Sequence, residues 1–122
     1  MIRTVLAALA FVTALAAPAY ADRAVIRGLD KVTGHARDYT LTVGRAARIG
    51  SLEVIARACD KSPPEETPEV RIYVQVYDNP PVREGEESER REIFHGWLFA
   101  SSPGLNAVDH PIYDIWAIDC RA

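Results

Sequence analysis

The chain reads VRIYVQVY at residues 70–77. Valine and isoleucine alternate strictly with larger or polar side chains, and successive side chains of a β-strand point to opposite faces of a sheet. The pattern therefore predicts a strand that buries one face in a core and turns the other toward solvent. The solvent face would carry Arg71, Tyr73, Gln75 and Tyr77.

The remaining chain is divided by Gly, Pro, Asn and charged clusters into short segments rich in Val, Ile, Tyr and Trp. Short strands at such regular spacing are typical of all-β proteins. We expect one all-β domain over residues 22–122, either a small antiparallel β-sandwich or a partly open barrel. The predicted strands span residues 25–32, 35–43, 46–49, 52–59, 70–77, 93–100 and 112–120.

The last two predicted strands, 93–100 and 112–120, are apolar on both faces. This pattern favours a central position in a sheet. Between them, Ser102 and Pro103 form a helix-start signal, and Pro111 disfavours helix at the residue before it. One short helical turn is therefore predicted in this connection.

The first 21 residues have the features of a secretory signal. Arg3 precedes an apolar run at residues 5–17, and Ala19-Tyr20-Ala21 resembles an A-x-A cleavage site. The run is too short to span a bilayer, and no later segment reaches the required length. Asp22, in place of Cys, removes the acceptor of a lipid anchor. We expect residues 1–21 to be a signal peptide and the remainder to be exported, without a transmembrane segment.

Export would place Cys59 and Cys120, the two cysteines of the chain, in an oxidising compartment. A disulfide between them is expected, because neither a C-x-x-C motif nor a basic cluster favours the alternative, a redox-active thiol. Strict alternation in residues 52–59 puts Leu52, Val54 and Ala56 on the core face and Cys59 on the other. A β-bulge would turn Cys59 inward.

The charge of the chain gives no sign of nucleic-acid binding. Its formal net charge is −3, and loss of Arg3 with the signal peptide makes it −4. Nucleic-acid-binding domains carry clustered Lys and Arg instead. His35, His95 and His110 do not stand at zinc-ligand spacings. We therefore expect no nucleic-acid partner, no metal and no cofactor.

Ser101, Ser102, Asp109 and His110 contain the residue types of a hydrolytic triad. The structural interpretation is simpler, because Ser102 can cap a short helix that Asp109, His110 and Pro111 close. The G-x-S-x-G elbow of many hydrolases is missing from the sequence. The sequence favours a non-enzymatic protein, with a small hydrolase using His110 and Asp109 or Ser101 as the alternative.

Asp114 falls on the same strand face as the apolar residues Ile112, Trp116 and Ile118. A carboxylate placed there needs a cation or several hydrogen bonds, because an unpaired buried charge is costly. Arg27, Arg57 and His110 are the expected partners.

The sequence GWLFASSPGLNAVDHPIYDIWAIDC at residues 96–120 resembles the signature of domain of unknown function 2155, a family of small secreted alphaproteobacterial proteins. Residues 29–34, 50–52 and 59–69 resemble the family as well. The resemblance implies a periplasmic location in a bacterial envelope. It implies no reaction and no catalytic residues.

These observations predict a non-enzymatic periplasmic binding or structural module whose partner is an envelope protein or a cell-wall component. The sequence leaves its oligomeric state open. A secreted enzyme inhibitor is a further alternative, since Pro-rich loops and a disulfide provide rigidity. The acidic segment 82–92 is expected to be a solvated loop. The candidate functional residues are Tyr73, Tyr77, Asp109, His110 and Asp114.

Overall fold

The computed structural model describes residue 10 and residues 21–122. The predicted signal peptide, apart from Ala10 and Ala21, lies outside the described residues. Seven strands are formed: β1 (Arg23–Asp30), β2 (Ala36–Thr42), β3 (Ala46–Ile49), β4 (Leu52–Lys61), β5 (Val70–Asp78), β6 (Arg91–Phe99) and β7 (Tyr113–Arg121). Within the described part of the chain, no helix is long and apolar enough to cross a membrane.

The strands form two antiparallel sheets. One has three strands in the order β2-β1-β7, and the other has four in the order β3-β4-β5-β6. The first and last strands of the fold are neighbours, with Arg23 opposite Arg121 and Ala24 opposite Cys120. The predicted all-β antiparallel sandwich is confirmed, and it consists of two separate sheets.

Strand β5 supplies the centre of the core. Val70 is 7% exposed, and Ile72, Val74 and Val76 are fully buried, so the face predicted from the alternation is confirmed. The two sheets share one apolar cluster, to which β1 adds Ile26, β4 adds Leu52 and β7 adds Ile115. Burial of such side chains is the main favourable contribution to folding.

A β-bulge in β4 determines where Cys59 points. Ala56 lies opposite Val74, whereas Ala58 lies opposite Tyr73, so Arg57 is an extra residue in the strand. The alternation of side chains shifts by one beyond the bulge. Cys59 consequently lies opposite the buried Ile72 and packs against the core, while Arg57 is exposed.

The predicted disulfide is formed between Cys59 in β4 and Cys120 in β7, with the two Cα atoms 5.7 Å apart. Since β4 and β7 belong to different sheets, this bond joins the two layers of the sandwich covalently. Cys120 is 7% exposed and forms part of the core cluster.

The prediction that β6 and β7 are central strands is wrong, because each lies at the edge of its sheet. In β6 only one apolar face is covered. Leu98 is 2% exposed on the core side, whereas Trp97 on the opposite side is 38% exposed. In β6, therefore, one apolar face contacts the core and the other forms a solvent-facing aromatic surface.

The connection between β6 and β7 contains tight turns in place of the predicted helical turn: the N–H of Ser102 donates to the oxygen of Phe99 at 3.3 Å, and the N–H of Leu105 donates to the oxygen of Ser102 at 3.0 Å. No helix forms within residues 21–122. The amide of Asn106 donates to the main-chain oxygen of Trp97 at 2.9 Å and so fixes this turn against β6. Val108 then enters the core at 3% exposure.

Gly50, in the hairpin between β3 and β4, allows a close contact between the sheets. Its φ is +59°, and a Cβ at this position would overlap the hydroxyl group of Tyr113 at the start of β7. The absence of a side chain therefore lets Tyr113 pack directly on the hairpin.

Loss of the disulfide should destabilise the fold strongly. The two cysteines are 61 residues apart, and closing a loop of that length stabilises the folded chain by about 4 kcal/mol in the chain-entropy model. We expect the Cys59→Ser/Cys120→Ser variant to unfold at a clearly lower urea concentration, measured by tryptophan fluorescence. Reduced wild-type protein is the control and should match the variant. Equal midpoints for the oxidised wild type and the variant would contradict this role.

Candidate functional site

His110 is 7% exposed and holds the end of the connection between β6 and β7. Its Nδ1 accepts hydrogen bonds from the main-chain N–H groups of Ile112, at 3.0 Å, and Tyr113, at 3.3 Å. Its Nε2 lies 3.6 Å from Oδ2 of Asp78 at the end of β5. Because Nδ1 accepts, the ring proton sits on Nε2 and faces this carboxylate.

Asp114 pairs with Lys31, a partner that the sequence analysis did not name. Nζ of Lys31 lies 3.2 Å from Oδ1 of Asp114 and donates to the main-chain oxygen of His110 at 2.8 Å. The expected partners are engaged elsewhere: Arg27 with Asp38 and Arg57 with Gln75. The Asp114 side chain is 35% exposed, so it lies at the rim of the sandwich and not within the core.

The residues of the suggested triad do not assemble. The hydroxyl group of Ser101 bonds to the carboxylate of Glu69, and the hydrogen bonds from Ser101 lower the pKa of Glu69. Asp109 is exposed. A triad histidine has the nucleophile on one ring nitrogen and the carboxylate on the other, whereas Nδ1 of His110 holds two main-chain N–H groups. The arrangement is that of a structural histidine.

Substitution of His110 should therefore reduce stability. His110→Ala leaves two main-chain N–H groups without their acceptor and opens a cavity, so we expect a loss of about 2–4 kcal/mol in the free energy of unfolding. His110→Asn places an amide oxygen near the position of Nδ1 and should lose less than half as much. Urea unfolding of both variants measures the difference. Equal losses for Ala and Asn would show that the acceptor at Nδ1 is unimportant.

The solvent side of the four-stranded sheet carries the second group of candidate residues. We call it the outer face, and it consists of Glu53, Ile55, Arg57, Ala58, Asp60, Arg71, Tyr73, Gln75, Tyr77, Glu92, His95, Trp97 and Phe99. Among these, Ile55 is buried.

Tyr73 and Trp97 form an aromatic pair at the centre of the outer face. They are opposite each other in β5 and β6, and their rings meet edge to face, with centroids 5.4 Å apart and an angle of 79°. The pair has no layer of protein above it within residues 21–122, and Trp97 is 38% exposed. Tyr73 is thus placed as the sequence predicted, on a solvent-facing surface.

Tyr77 is covered by a neighbour that the sequence analysis missed. The guanidinium carbon of Arg90 lies 3.6 Å from the centre of the Tyr77 ring, and the same side chain binds Glu53 through two hydrogen bonds of 3.0 and 3.1 Å. The predicted loop 82–92 is exposed but shorter than expected, because Arg91 and Glu92 already belong to β6, and Arg90 just before the strand docks on the outer face. Tyr77 packs under this guanidinium group, and both Tyr73 and Tyr77 are half-buried.

Arg57, the bulge residue of β4, stands beside the aromatic pair. Its Nε donates to Oε1 of Gln75 at 2.7 Å. Arg71 pairs with Asp60, Arg90 pairs with Glu53 and His95 pairs with Glu92. Within residues 21–122, Arg57 is held by Gln75 and forms no ion pair with a carboxylate.

A cleft of about 410 Å³ continues the outer face toward the Pro-rich loop 62–69, with Arg71 and Phe99 on its wall. Among the described residues, no group of three or more His, Cys, Asp or Glu is arranged to hold a metal ion.

Residues 24–120 match the model of a family described as an uncharacterized protein conserved in bacteria, DUF2155. The chain belongs to this family. The resemblance noted in the sequence is thereby confirmed. Uncharacterized protein RP359 of Rickettsia prowazekii (strain Madrid E) is 27% identical over 99 residues, which cover 78% of this chain. The match spans 58% of the length of that relative. No solved structure matches the chain.

The bond between Arg90 and Glu53 should make stability depend on pH. Hydrogen bonds from Arg90 hold the pKa of Glu53 below its usual value, against the opposing effect of burial. A carboxyl group with a lowered pKa stabilises the fold above its unfolded-state pKa of about 4.3, and this contribution is lost as the pH falls through the folded-state value.

We expect Glu53→Gln to be less stable than the wild type at pH 7 by about 0.5–1 kcal/mol, the range for a partly exposed ion pair. The difference should shrink at pH 3, below the unfolded-state pKa, because the unfolded chain then already binds the proton. Urea titrations at both pH values measure it, with Glu84→Gln in the exposed loop as the matched control. A difference that is the same at both pH values would argue against an ion pair.

Proposed function

We propose that this protein is a non-enzymatic recognition module of the bacterial envelope. It is exported to the periplasm by its N-terminal segment and binds a protein partner through the outer face of its four-stranded sheet. The observation that carries this proposal is the solvent-facing pair of Tyr73 and Trp97.

The aromatic pair is not needed to close the core. The residues of β5 and β6 that enter the buried cluster lie on the opposite face, and neither Tyr73 nor Trp97 belongs to that cluster. The pair contributes to the pairing of β5 with β6, as cross-strand aromatic pairs do. Trp, Tyr and Arg are also the residue types that dominate binding energies at interfaces. Tyr73, Trp97 and Arg57 bring all three together.

Recognition by the face is better supported than addition of a partner strand at the edge of the sheet. Strand β6 has no neighbouring strand on its outer edge within residues 21–122. However, the amide of Asn106 donates a hydrogen bond to the main-chain oxygen of Trp97 on that edge. This contact removes one acceptor from the edge, whereas Arg57, His95 and Trp97 on the outer face are exposed.

The proposed location has two supports. Residues 1–21 carry the features of a signal peptide. The disulfide bond is of a kind that persists in oxidising compartments such as the periplasm and is rare in the cytosol. Membership of a bacterial family is consistent with that location.

The proposal is tested by photo-crosslinking in intact cells of the native host. A photoreactive amino acid replaces His95, an exposed residue of the outer face, or Thr40, an exposed residue of β2 in the other sheet. We expect position 95 to give a protease-sensitive adduct of discrete mass that is weak or missing for position 40. Fractionation of the same cells should recover the adduct with periplasmic material.

Trp97→Ala, combined with the position-95 probe, should reduce the adduct at least tenfold, because the aromatic anchor is lost. Val32→Ala, which truncates an apolar side chain that is 76% exposed elsewhere, is the matched control and should leave the adduct unchanged. Adducts of equal yield at positions 40 and 95, or an adduct indifferent to Trp97→Ala, would rule out the outer face as the binding surface.

A further inference from the structure

We propose that folding closes the site at which the N-terminal segment is removed. The peptide bond between Ala21 and Asp22 is open to a signal peptidase of the envelope only before β1 is inserted between β2 and β7. This inference rests on the export step of the proposed function and adds the order in which cleavage, folding and disulfide formation occur.

The predicted cleavage site adjoins the fold almost without a spacer. Ala19 and Ala21 are the small residues of the A-x-A pattern, so the bond to be cleaved joins Ala21 to Asp22. Strand β1 begins at Arg23. One residue therefore separates this bond from the first strand of the fold.

Both residues of the bond contact the folded chain. Ala21 is partly buried and packs against the core cluster. The main-chain oxygen of Asp22 accepts a hydrogen bond from the N–H of Val43 at 2.8 Å. Contacts of this kind order the end of a domain, which is otherwise mobile. The alanine side chain that a peptidase would bind is therefore already in contact with the core of the protein.

The strand that follows is paired on both sides. Arg23 lies opposite Thr42 of β2 and opposite Arg121 of β7. Ala24 is fully buried and has Cys120 as its neighbour in β7. Opening the start of this strand therefore breaks two ladders of hydrogen bonds, whereas opening an edge strand would break one.

Hydrolysis at this site needs more room than the folded chain provides. The nucleophile must approach the carbonyl carbon of Ala21 to about 3–3.5 Å. Water is then added to that carbon and the C–N bond breaks. Both protons of the water end on the new amino group, which leaves a carboxylate on Ala21 and an ammonium group on Asp22. Residues 22–24 must leave β2 and β7 before an enzyme can reach the bond in this way.

The disulfide bond ends the period in which the site is open. Cys120 lies opposite Ala24, three residues after Ala21, and its bond to Cys59 fixes β7 beside the start of β1. Until β7 is in place, β1 has only β2 as a neighbour and opens at a lower cost. Cleavage therefore precedes closure of the disulfide, and a chain that is oxidised first keeps its N-terminal segment.

The test compares full-length precursors, residues 1–122, treated with a purified bacterial signal peptidase in detergent micelles. One is the oxidised, folded wild type. A second has a Gly/Ser spacer of six residues between Asp22 and Arg23, which moves the bond away from β1 and keeps the A-x-A pattern. The matched control has the same spacer between Glu86 and Glu87, in the exposed loop.

Two further precursors complete the comparison. Val74→Asp is an unfolded full-length substrate, because it places a charge at a fully buried position. Cys59→Ser/Cys120→Ser lacks the bond that fixes β7. Urea unfolding, measured by tryptophan fluorescence, verifies that the wild type and both spacer variants are folded.

Intact mass spectrometry should show a product that begins at Asp22. We expect it to form at least about tenfold faster from the Asp22 spacer variant and from Val74→Asp than from the folded wild type, because opening of β1 limits cleavage of the folded chain. The control spacer should leave the rate within about twofold of the wild type. The double cysteine variant should be cleaved severalfold faster than the oxidised wild type.

Cleavage of the folded wild type as fast as Val74→Asp overturns the inference. Resistance of the Asp22 spacer variant, when Val74→Asp is cleaved, overturns it as well. Equal rates for the oxidised wild type and the double cysteine variant overturn the order of cleavage and disulfide closure. These results leave export and binding by the outer face standing. If neither Val74→Asp nor the Asp22 spacer variant is cleaved, the N-terminal segment is not a cleavable signal, and the proposed export step is lost together with the inference.

Discussion

The bond between Cys59 and Cys120 is the interaction on which the arrangement of the two sheets depends. A three-stranded and a four-stranded layer share one apolar cluster of mostly valine and isoleucine side chains. Such a cluster is a non-directional contact, and the covalent link fixes how one layer sits over the other. The bond joins β4 to β7, and β7 also pairs with β1, so the constraint extends to both ends of the fold.

The same bulge that makes this bond possible also exposes an arginine on the proposed binding surface. One extra residue in β4 turns Cys59 toward the core and leaves Arg57 on the solvent side beside Tyr73. Regular pairing would have placed Cys59 on the outer face, away from Cys120. Stability and surface chemistry therefore depend on one local irregularity, and bulges commonly reorient side chains in this way.

The sequence predicted those structural features that depend on residues close together in the chain. The alternation of apolar and polar residues identified the buried face of β5, and the presence of two cysteines predicted the disulfide.

The edge positions of β6 and β7 were not predictable. A strand with apolar residues on both faces has the same sequence pattern whether its second face is covered by protein or faces solvent. The contacts of Lys31 with Asp114 and of Arg90 with Tyr77 were missed for a related reason: each joins a loop or strand end to a distant strand, which only the tertiary structure specifies. Tyr73 was found by periodicity, whereas its pairing with Trp97 required the register between β5 and β6.

The pairing of the first strand with the last has a kinetic implication. Strand β1 lies between β2 and β7, and its register with β7 brings Arg23 next to Arg121. Contacts between residues so far apart in sequence are slow to form, because the intervening chain must lose its freedom first. A chain whose strand β7 has not yet been synthesised can form the β1–β2 hairpin but not the complete three-stranded sheet. Completion of this sheet is therefore a late event, which must wait for the last strand.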